Sequence, residues 1–137
     1  IENLKDLIQL YEIKNVKIHP FTNTIDIWKN NRGLLLSSRF EGLPLVLVEA
    51  MLCKRFAIIT NVSGNKELIQ DNINGFIAAA PRPEYVDEAM ERAWQVRENW
   101  KSIGEQAREE LIKNIPENPA MLFANKLFAI LNNSKKK

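Results

Sequence analysis

A single cysteine, Cys53, and a single histidine, His19, are all that this 137-residue chain has of the residue types that most often staple loops or hold metals. One cysteine cannot close an intrachain disulfide, and near the end of an apolar run it reads as a buried, reduced thiol. One histidine builds no metal-ligand cluster, and a Ser-His-Asp set would rest on His19, which reads as a loop residue after a strand. An apolar run of eighteen residues is lacking, as is a basic, apolar, small-residue leader at the start, so the chain is expected to be soluble and cytoplasmic. Neither sign of charge dominates: nineteen basic residues against seventeen acidic ones leave a net charge of +2. Most of that excess is the tail Lys135, Lys136 and Lys137, read as a solvated end, so nucleic acid and anionic membranes are not indicated as partners. Glycine-rich phosphate loops, internal repeats and low-complexity tracts are also missing.

What is present is an alternation of short apolar runs with helical periodicity, in a chain of a length that suits one domain with a proper core. Leu4, Leu7, Ile8 and Tyr11 predict a helix over residues 4–12, with Asn3 as N-cap. Asn15 then turns the chain into a short strand, Val16, Lys17 and Ile18, ending at His19 and Pro20. Thr22 or Asn23 caps a helix through Ile25, Ile27 and Trp28 that ends near Asn30, Asn31 and Gly33. Three further short strands follow: Gly33, Leu34, Leu35 and Leu36; then Ala57, Ile58, Ile59 and Thr60; then Phe76, Ile77 and Ala78. Between the last two lie a helix through Leu68 and Ile69 and a turn of Asp71, Asn72, Asn74 and Gly75. Past Pro81 and Pro83 the pattern is helical, with Val86, Ala89, Met90, Ala93, Trp94 and Arg97 on one face and Trp94 assigned to the core. Ser102 and Glu105 form a capping-box pattern, opening a helix through Ala107 and Leu111. After Pro116 and Pro119 a last helix carries a wide apolar face, Leu122, Phe123, Leu127, Phe128, Ile130 and Leu131. The alternation predicts an α/β fold with a parallel sheet covered by helices on both faces.

The chain is organised around residues 33–52. After the apolar strand, Ser37, Ser38, Arg39, Phe40, Glu41 and Gly42 form a polar corner, and Leu43 and Pro44 open an apolar helix that runs to Leu52, with Pro44 placed in its first turn. Glu49 stands inside that helix. A carboxylate left desolvated and unpaired there costs several kcal/mol, so Glu49 is expected to face a polar cleft or a partner. Helical rise over the eight positions from Glu41 puts the two carboxylates roughly 12 Å apart, with the free N–H groups of the first helical turn between them. That order suits a ligand with hydroxyls at both ends and phosphate between, such as a nucleotide diphosphate sugar.

Glu41, Gly42, Leu43 and Pro44 followed by Glu49, Ala50 and Met51 resemble the Glu, seven residues, Glu motif of the retaining family 4 glycosyltransferases, whose fold is the two-domain GT-B. Val62, Ser63, Gly64, Asn65, Lys66, Glu67, Leu68 and Ile69 resemble that family's Gly-Gly-x-x-Glu stretch, and Asn74, Gly75, Phe76 and Ile77 its Asn-Gly strand opening. The resemblance runs from residue 16 to about residue 113. It implies that residues 1–137 are an incomplete, Rossmann-like C-terminal domain that binds the donor, with residues 113–137 packing on a missing N-terminal acceptor domain. By the same resemblance Glu49 holds the ribose hydroxyls of the donor nucleotide, and Glu41 is the catalytic-site residue that contacts the transferred sugar. The backbone of Gly42, Leu43, Pro44 and Leu45 cradles sugar and phosphate, with Ser38, Gly64 and Glu67 completing the donor site. The implied donor is a substrate; no separate cofactor and no metal is implied, and the acceptor could be membrane-associated.

Other roles stay open for these residues. Glu41 could simply stabilise a helix N-terminus, by about 0.3 to 1 kcal/mol; Glu49 could sit in a buried ion pair, and Glu67 could cap a helix from its N3 position. A noncatalytic interaction module or a nucleotide-sugar epimerase of the same fold are the competing functions. The family supplies an Arg and a Lys to the diphosphate from elements expected to precede Ile1, leaving Arg39, Lys54, Arg55 and Lys66 as nearby cations. Three positions depart from the family pattern: Lys54 replaces the Gly that ends the helix, which is therefore expected to end differently; Phe56 replaces a Pro, and Ser63 the first Gly of its pair. The usual doubly wound strand order would leave a gap between the Val16 strand and the Leu34 strand, to be closed by re-pairing, swapping or dimerisation.

Overall fold

A computed structural model describes residues 2–134 of the chain; the tail Lys135, Lys136 and Lys137 lies outside them. The elements run α1 (Glu2–Leu10), α2 (Thr24–Asn30), β1 (Gly33–Leu36), α3 (Leu45–Leu52), β2 (Phe56–Thr60), α4 (Asn65–Leu68), β3 (Phe76–Ala78), α5 (Pro83–Gln95), α6 (Trp100–Asn114) and α7 (Pro119–Ser134), with a 3-10 turn at Arg97–Asn99 before α6. The strands form a parallel sheet in the order β1-β2-β3, with Gly33 opposite Phe56 and Ile58 opposite Phe76.

Every residue of β2 is buried, so its side chains feed two cores. Ala57 and Ile59 join Leu47 and Met51 of α3 and Ala107 and Leu111 of α6 on one face. Phe56 and Ile58 join Phe76 and Ala78 of β3, Ala89 and Ala93 of α5 and Ile103 of α6 on the other. This is the period-two division of a strand covered on both sides, and it produces the two-faced parallel sheet that the sequence predicts. Phe56 stacks on Trp100 with ring centroids 4.7 Å apart and meets Phe76 edge-on at 6.2 Å. Its ring also lies over Gly33, where a Cβ would collide with it.

Several expectations need correction. Residues 16–18 form no strand: Val16 and Ile18 are exposed, and the outer edge of β1 has no ladder partner among the described residues, so re-pairing within the chain does not close it. An extended segment with nothing to pair against gains nothing over hydration of its backbone. Beside that edge Trp28 is buried, with its indole N–H lacking an acceptor among the described residues. Asn3 lies within α1 rather than capping it, whereas Asn23 does cap α2, its side chain accepting from the N–H of Ile25 at 3.0 Å. Trp94 is exposed rather than core, because the buried stripe of α5 is the narrow pair Ala89 and Ala93. Trp100 takes the aromatic core place, its Nε1–H donating to the carbonyl of Ala93 at 2.8 Å. Ser102 lies inside α6, which is capped at Asn99, so no capping box forms and Glu105 pairs with Lys54 at 3.6 Å. The last helix begins at Pro119, and Met121, Leu122, Phe123, Leu127, Phe128, Ile130 and Leu131 are all exposed on it. Cys53 is half-buried at the C-cap of α3, not fully enclosed.

Helix α3 ends as a glycine-terminated helix would, despite Lys54. Lys54 adopts φ 57°, its N–H bonds to the carbonyl of Met51 and that of Arg55 to the carbonyl of Ala50, both at 2.9 Å. That pair of bonds is the Schellman closure, and the non-glycine residue bears the left-handed strain. On the far side of the sheet Arg92 binds α5 to the turn before β3, donating to Glu88 (2.6 Å), Asp71 (2.9 Å), Asn72 (2.6 Å) and the carbonyl of Ile77 (2.9 Å). Hydrogen bonding to Glu88, followed by that to Asp71, raises its pKa against partial burial and keeps it charged. Two stability changes of opposite sign are expected by urea unfolding: Lys54→Gly gains about 0.5–1 kcal/mol by relieving the left-handed strain, and Arg92→Ala loses about 2 kcal/mol by leaving its acceptors unmatched.

Candidate functional site

The carboxyl ends of β1 and β2 carry a connected set of polar groups. Thr60, fully buried at the end of β2, donates its hydroxyl to the carbonyl of Ser38 at 2.6 Å. Ser38 donates its own hydroxyl to Oε1 of Glu41, also at 2.6 Å. Asn65, likewise fully buried at the start of α4, donates to the carbonyl of Thr60 at 3.1 Å. One buried threonine thus fixes both the corner after β1 and the loop after β2, since an unmatched polar group at this depth would be costly.

Those loops touch. A Cβ on Gly64 would collide with the carbonyl oxygen of Gly42, so glycine is what lets the two backbones meet. Ser63, just before, adopts φ 41°. The residue that replaces the first glycine of the pair therefore retains a glycine-like conformation, at a cost of about 1 kcal/mol.

Helix α3 starts at Leu45, one residue later than expected, with the buried Pro44 as a cap that offers no side-chain hydrogen bond. The N–H of Leu47 already reaches the carbonyl of Pro44 at 3.0 Å. The N–H groups of Gly42, Leu43, Leu45 and Val46 donate to no acceptor among the described residues. Because residues 41–44 are not helical, helical rise does not measure the separation of the two glutamates. Glu49 is half-buried between the core residues Leu47, Ala50 and Met51, and among the described residues its carboxylate meets no cation and no hydrogen-bond donor. The buried ion pair considered for it is not formed. Phe40, Leu43 and Leu45 add exposed apolar surface along the same segment.

The remaining predicted residues divide. Ser38, Glu41, Gly42, Leu43, Pro44, Leu45 and Gly64 come together through the contacts above. Glu67 occupies the N3 position of α4 but is exposed, and its carboxylate makes no capping bond among the described residues. His19 is an exposed loop residue, as read from sequence. Lys54 and Arg55 are displaced to the opposite end of α3, leaving Arg39 and Lys66 as the exposed cations flanking the two loops. Thr60 and Asn65 also position the site, and the sequence pattern does not mark them, because both act through backbone carbonyls. No group of three or more His, Cys, Asp or Glu side chains placed to hold a metal occurs among the described residues. None of their helices is long and apolar enough to cross a membrane.

A parallel sheet with helices on both faces, whose polar loops meet beyond the strand carboxyl ends, defines a Rossmann-like α/β domain. Residues 2–110 match the family described as glycosyl transferases group 1, and the chain belongs to that family. It is 29% identical over 109 residues, 80% of its length, to an uncharacterized glycosyltransferase of Methanocaldococcus jannaschii, of which this covers 31%. Among solved structures, the sucrose-phosphate synthase from Thermosynechococcus elongatus superposes with a TM-score of 0.81 at 18% identity, covering 97% of this chain and 34% of that one. Anabaena HepE in complex with UDP and glucose superposes with a TM-score of 0.76 at 19% identity, covering 97% and 36%. The fold is that of GT-B glycosyltransferase C-terminal domains, with an open sheet, and the chain spans about a third of the length of each of these proteins.

The loop contact gives a paired expectation. Gly64→Ala should lower stability by about 1–3 kcal/mol by forcing the loops apart, whereas Ser63→Gly should raise it by about 1 kcal/mol; chemical denaturation of the two variants checks both signs.

Proposed function

We propose that this chain is the donor-binding half of a retaining glycosyltransferase, moving a sugar from a nucleotide diphosphate sugar to an acceptor in glycan or polysaccharide synthesis. The observation that supports it most is the set of N–H groups at Gly42, Leu43, Leu45 and Val46, unpaired among the described residues and lying in sequence between Glu41, which Ser38 holds, and Glu49, which meets no partner among the described residues. In such a transfer the bond between the anomeric carbon and the diphosphate breaks, so negative charge grows on the leaving phosphate while the sugar gains oxocarbenium character. N–H dipoles at the start of α3 stabilise that charge without having to reorganise. Glu49 accepts hydrogen bonds from the ribose hydroxyls of the donor, and Glu41 from hydroxyls of the transferred sugar. The donor needs both ends held, and UDP with glucose, the pair bound by the HepE neighbour, has that layout.

The exposed apolar side chains of α7 are the surface we assign to an acceptor-binding domain, which would bring the second substrate to the donor. Arg39 and Lys66 are the residues of this chain that could add positive charge near the diphosphate.

The test is thermal unfolding of the intact polypeptide with UDP, GDP and ADP in turn, repeated on Glu49→Ala. One nucleotide should raise Tm, by about 2.7 kcal/mol of stabilisation at a hundredfold excess over Kd. The variant should bind that nucleotide about 10- to 100-fold more weakly, having lost charge-assisted bonds to two hydroxyls. If no nucleotide raises Tm, or if the variant responds like the parent chain, the donor-site assignment fails.

A further inference from the structure

The amino ends of the strands carry a second cluster, at the end of the sheet opposite the donor loops. Register places Gly33 beside Phe56, so Arg32, just before β1, lies next to Lys54 and Arg55, just before β2. The first turns of α6 close over them with Trp100, Lys101 and Glu105, and together these side chains line a cavity of about 440 Å³. Four cations thus share one cavity with a single carboxylate.

The cations are arranged rather than scattered. Lys54 is fixed by the Schellman closure of α3, and its ammonium lies 3.6 Å from Glu105. Arg55 is anchored through its Nε–H to the carbonyl of Trp28 at 2.8 Å, leaving the two terminal nitrogens of its guanidinium without acceptors among the described residues. Arg32 and Lys101 have no hydrogen-bond or ion-pair partner among the described residues. The indole of Trp100 provides a firm wall, backed by the ring of Phe56 and tied by its N–H to Ala93. Three positive charges in excess repel one another unless an anion lies among them, and the N-terminus of the fifteen-residue α6 contributes in the same sense. Unanchored surface lysines would bind oxyanions weakly, but a guanidinium held at Nε presents its fork to a phosphate in a fixed orientation.

We propose that this cavity binds a phosphate-bearing anion, with Arg32, Arg55 and Lys101 as its contacts and Lys54 released in part from Glu105. The ligand chemistry is a phosphoryl or diphosphoryl group, carried either by a small soluble molecule or by an anionic lipid headgroup. The site is independent of the donor reading, since it shares no residue with that mouth.

The experiment is NMR titration of the chain with inorganic pyrophosphate, alongside co-sedimentation with phosphatidylglycerol and phosphatidylcholine vesicles. Each is run on the parent chain and on Arg32→Gln combined with Lys101→Gln, two exposed residues without partners whose change should leave the fold intact. Expected are saturable shifts at the Arg32 and Lys101 amides and the Trp100 indole N–H, with affinity roughly tenfold weaker in the double variant, the effect of losing two partly screened charge contacts. Sedimentation with phosphatidylglycerol vesicles alone, competed by pyrophosphate and lost in the variant, assigns the headgroup as source; pyrophosphate binding without sedimentation assigns a soluble ligand. Absence of binding to either probe, binding unchanged in the double variant, or shifts confined to residues 42–46 would overturn the proposal.

Discussion

The hydroxyl of Thr60 is the bond on which the arrangement of this domain depends most. It is fully buried, and its donation to the carbonyl of Ser38 joins the carboxyl ends of two parallel strands. From there the order passes outward in two directions: through Ser38 to the carboxylate of Glu41, and through the carbonyl of Thr60 to the amide of Asn65 at the start of α4. Each step is a buried or half-buried polar group whose alternative, an unmatched donor or acceptor out of water, is costly. The contact of Gly64 with Gly42 then follows, because two loops held at their roots by one residue have little freedom to separate.

Holding the loops this way leaves polar capacity unspent at their tips. Pro44 starts α3 without a capping side chain, so the N–H groups around it find no acceptor among the described residues. Thr60 and Ser38 are closely satisfied, while four backbone donors a few residues later stay open among the described residues. The core supports the same division: one face of β2 takes up Leu47 and Met51 of α3, while Glu49, between them in sequence, stays half-buried outside that core.

Much of this was legible in sequence because it rests on short-range chemistry. The three strands that form are the three that sit next to each other in the sheet; Val16 to Ile18 had the right composition but found no neighbour, and pairing is a property of the partner as much as of the strand. Likewise Asn23 capped its helix as read, since the cap and its acceptor lie two residues apart. The errors fall where a specific bond or packing contact overrides residue preference. Lys54 takes a left-handed conformation because the Schellman bonds to Met51 and Ala50 compensate it, and periodicity alone could not rank Trp94 against Trp100 for the place beside Phe56. Ser102 and Glu105 have capping-box spacing, yet the helix opens earlier, where Trp100 is drawn into the core by its stack and its bond to Ala93. At the site the motif residues were legible and the residues that position them were not, because Thr60 and Asn65 act through backbone carbonyls that no side-chain pattern records.

Under the proposed function the open backbone donors at the start of α3 receive the phosphates of a nucleotide, and amide NMR observes those donors one by one. On titration with UDP, GDP and ADP, the amide resonances of Gly42, Leu43, Leu45 and Val46 should move together and saturate with one of them, as a hydrogen bond forms from each. Saturable binding of a nucleotide that leaves these four resonances in place, while others elsewhere in the domain move, would contradict it.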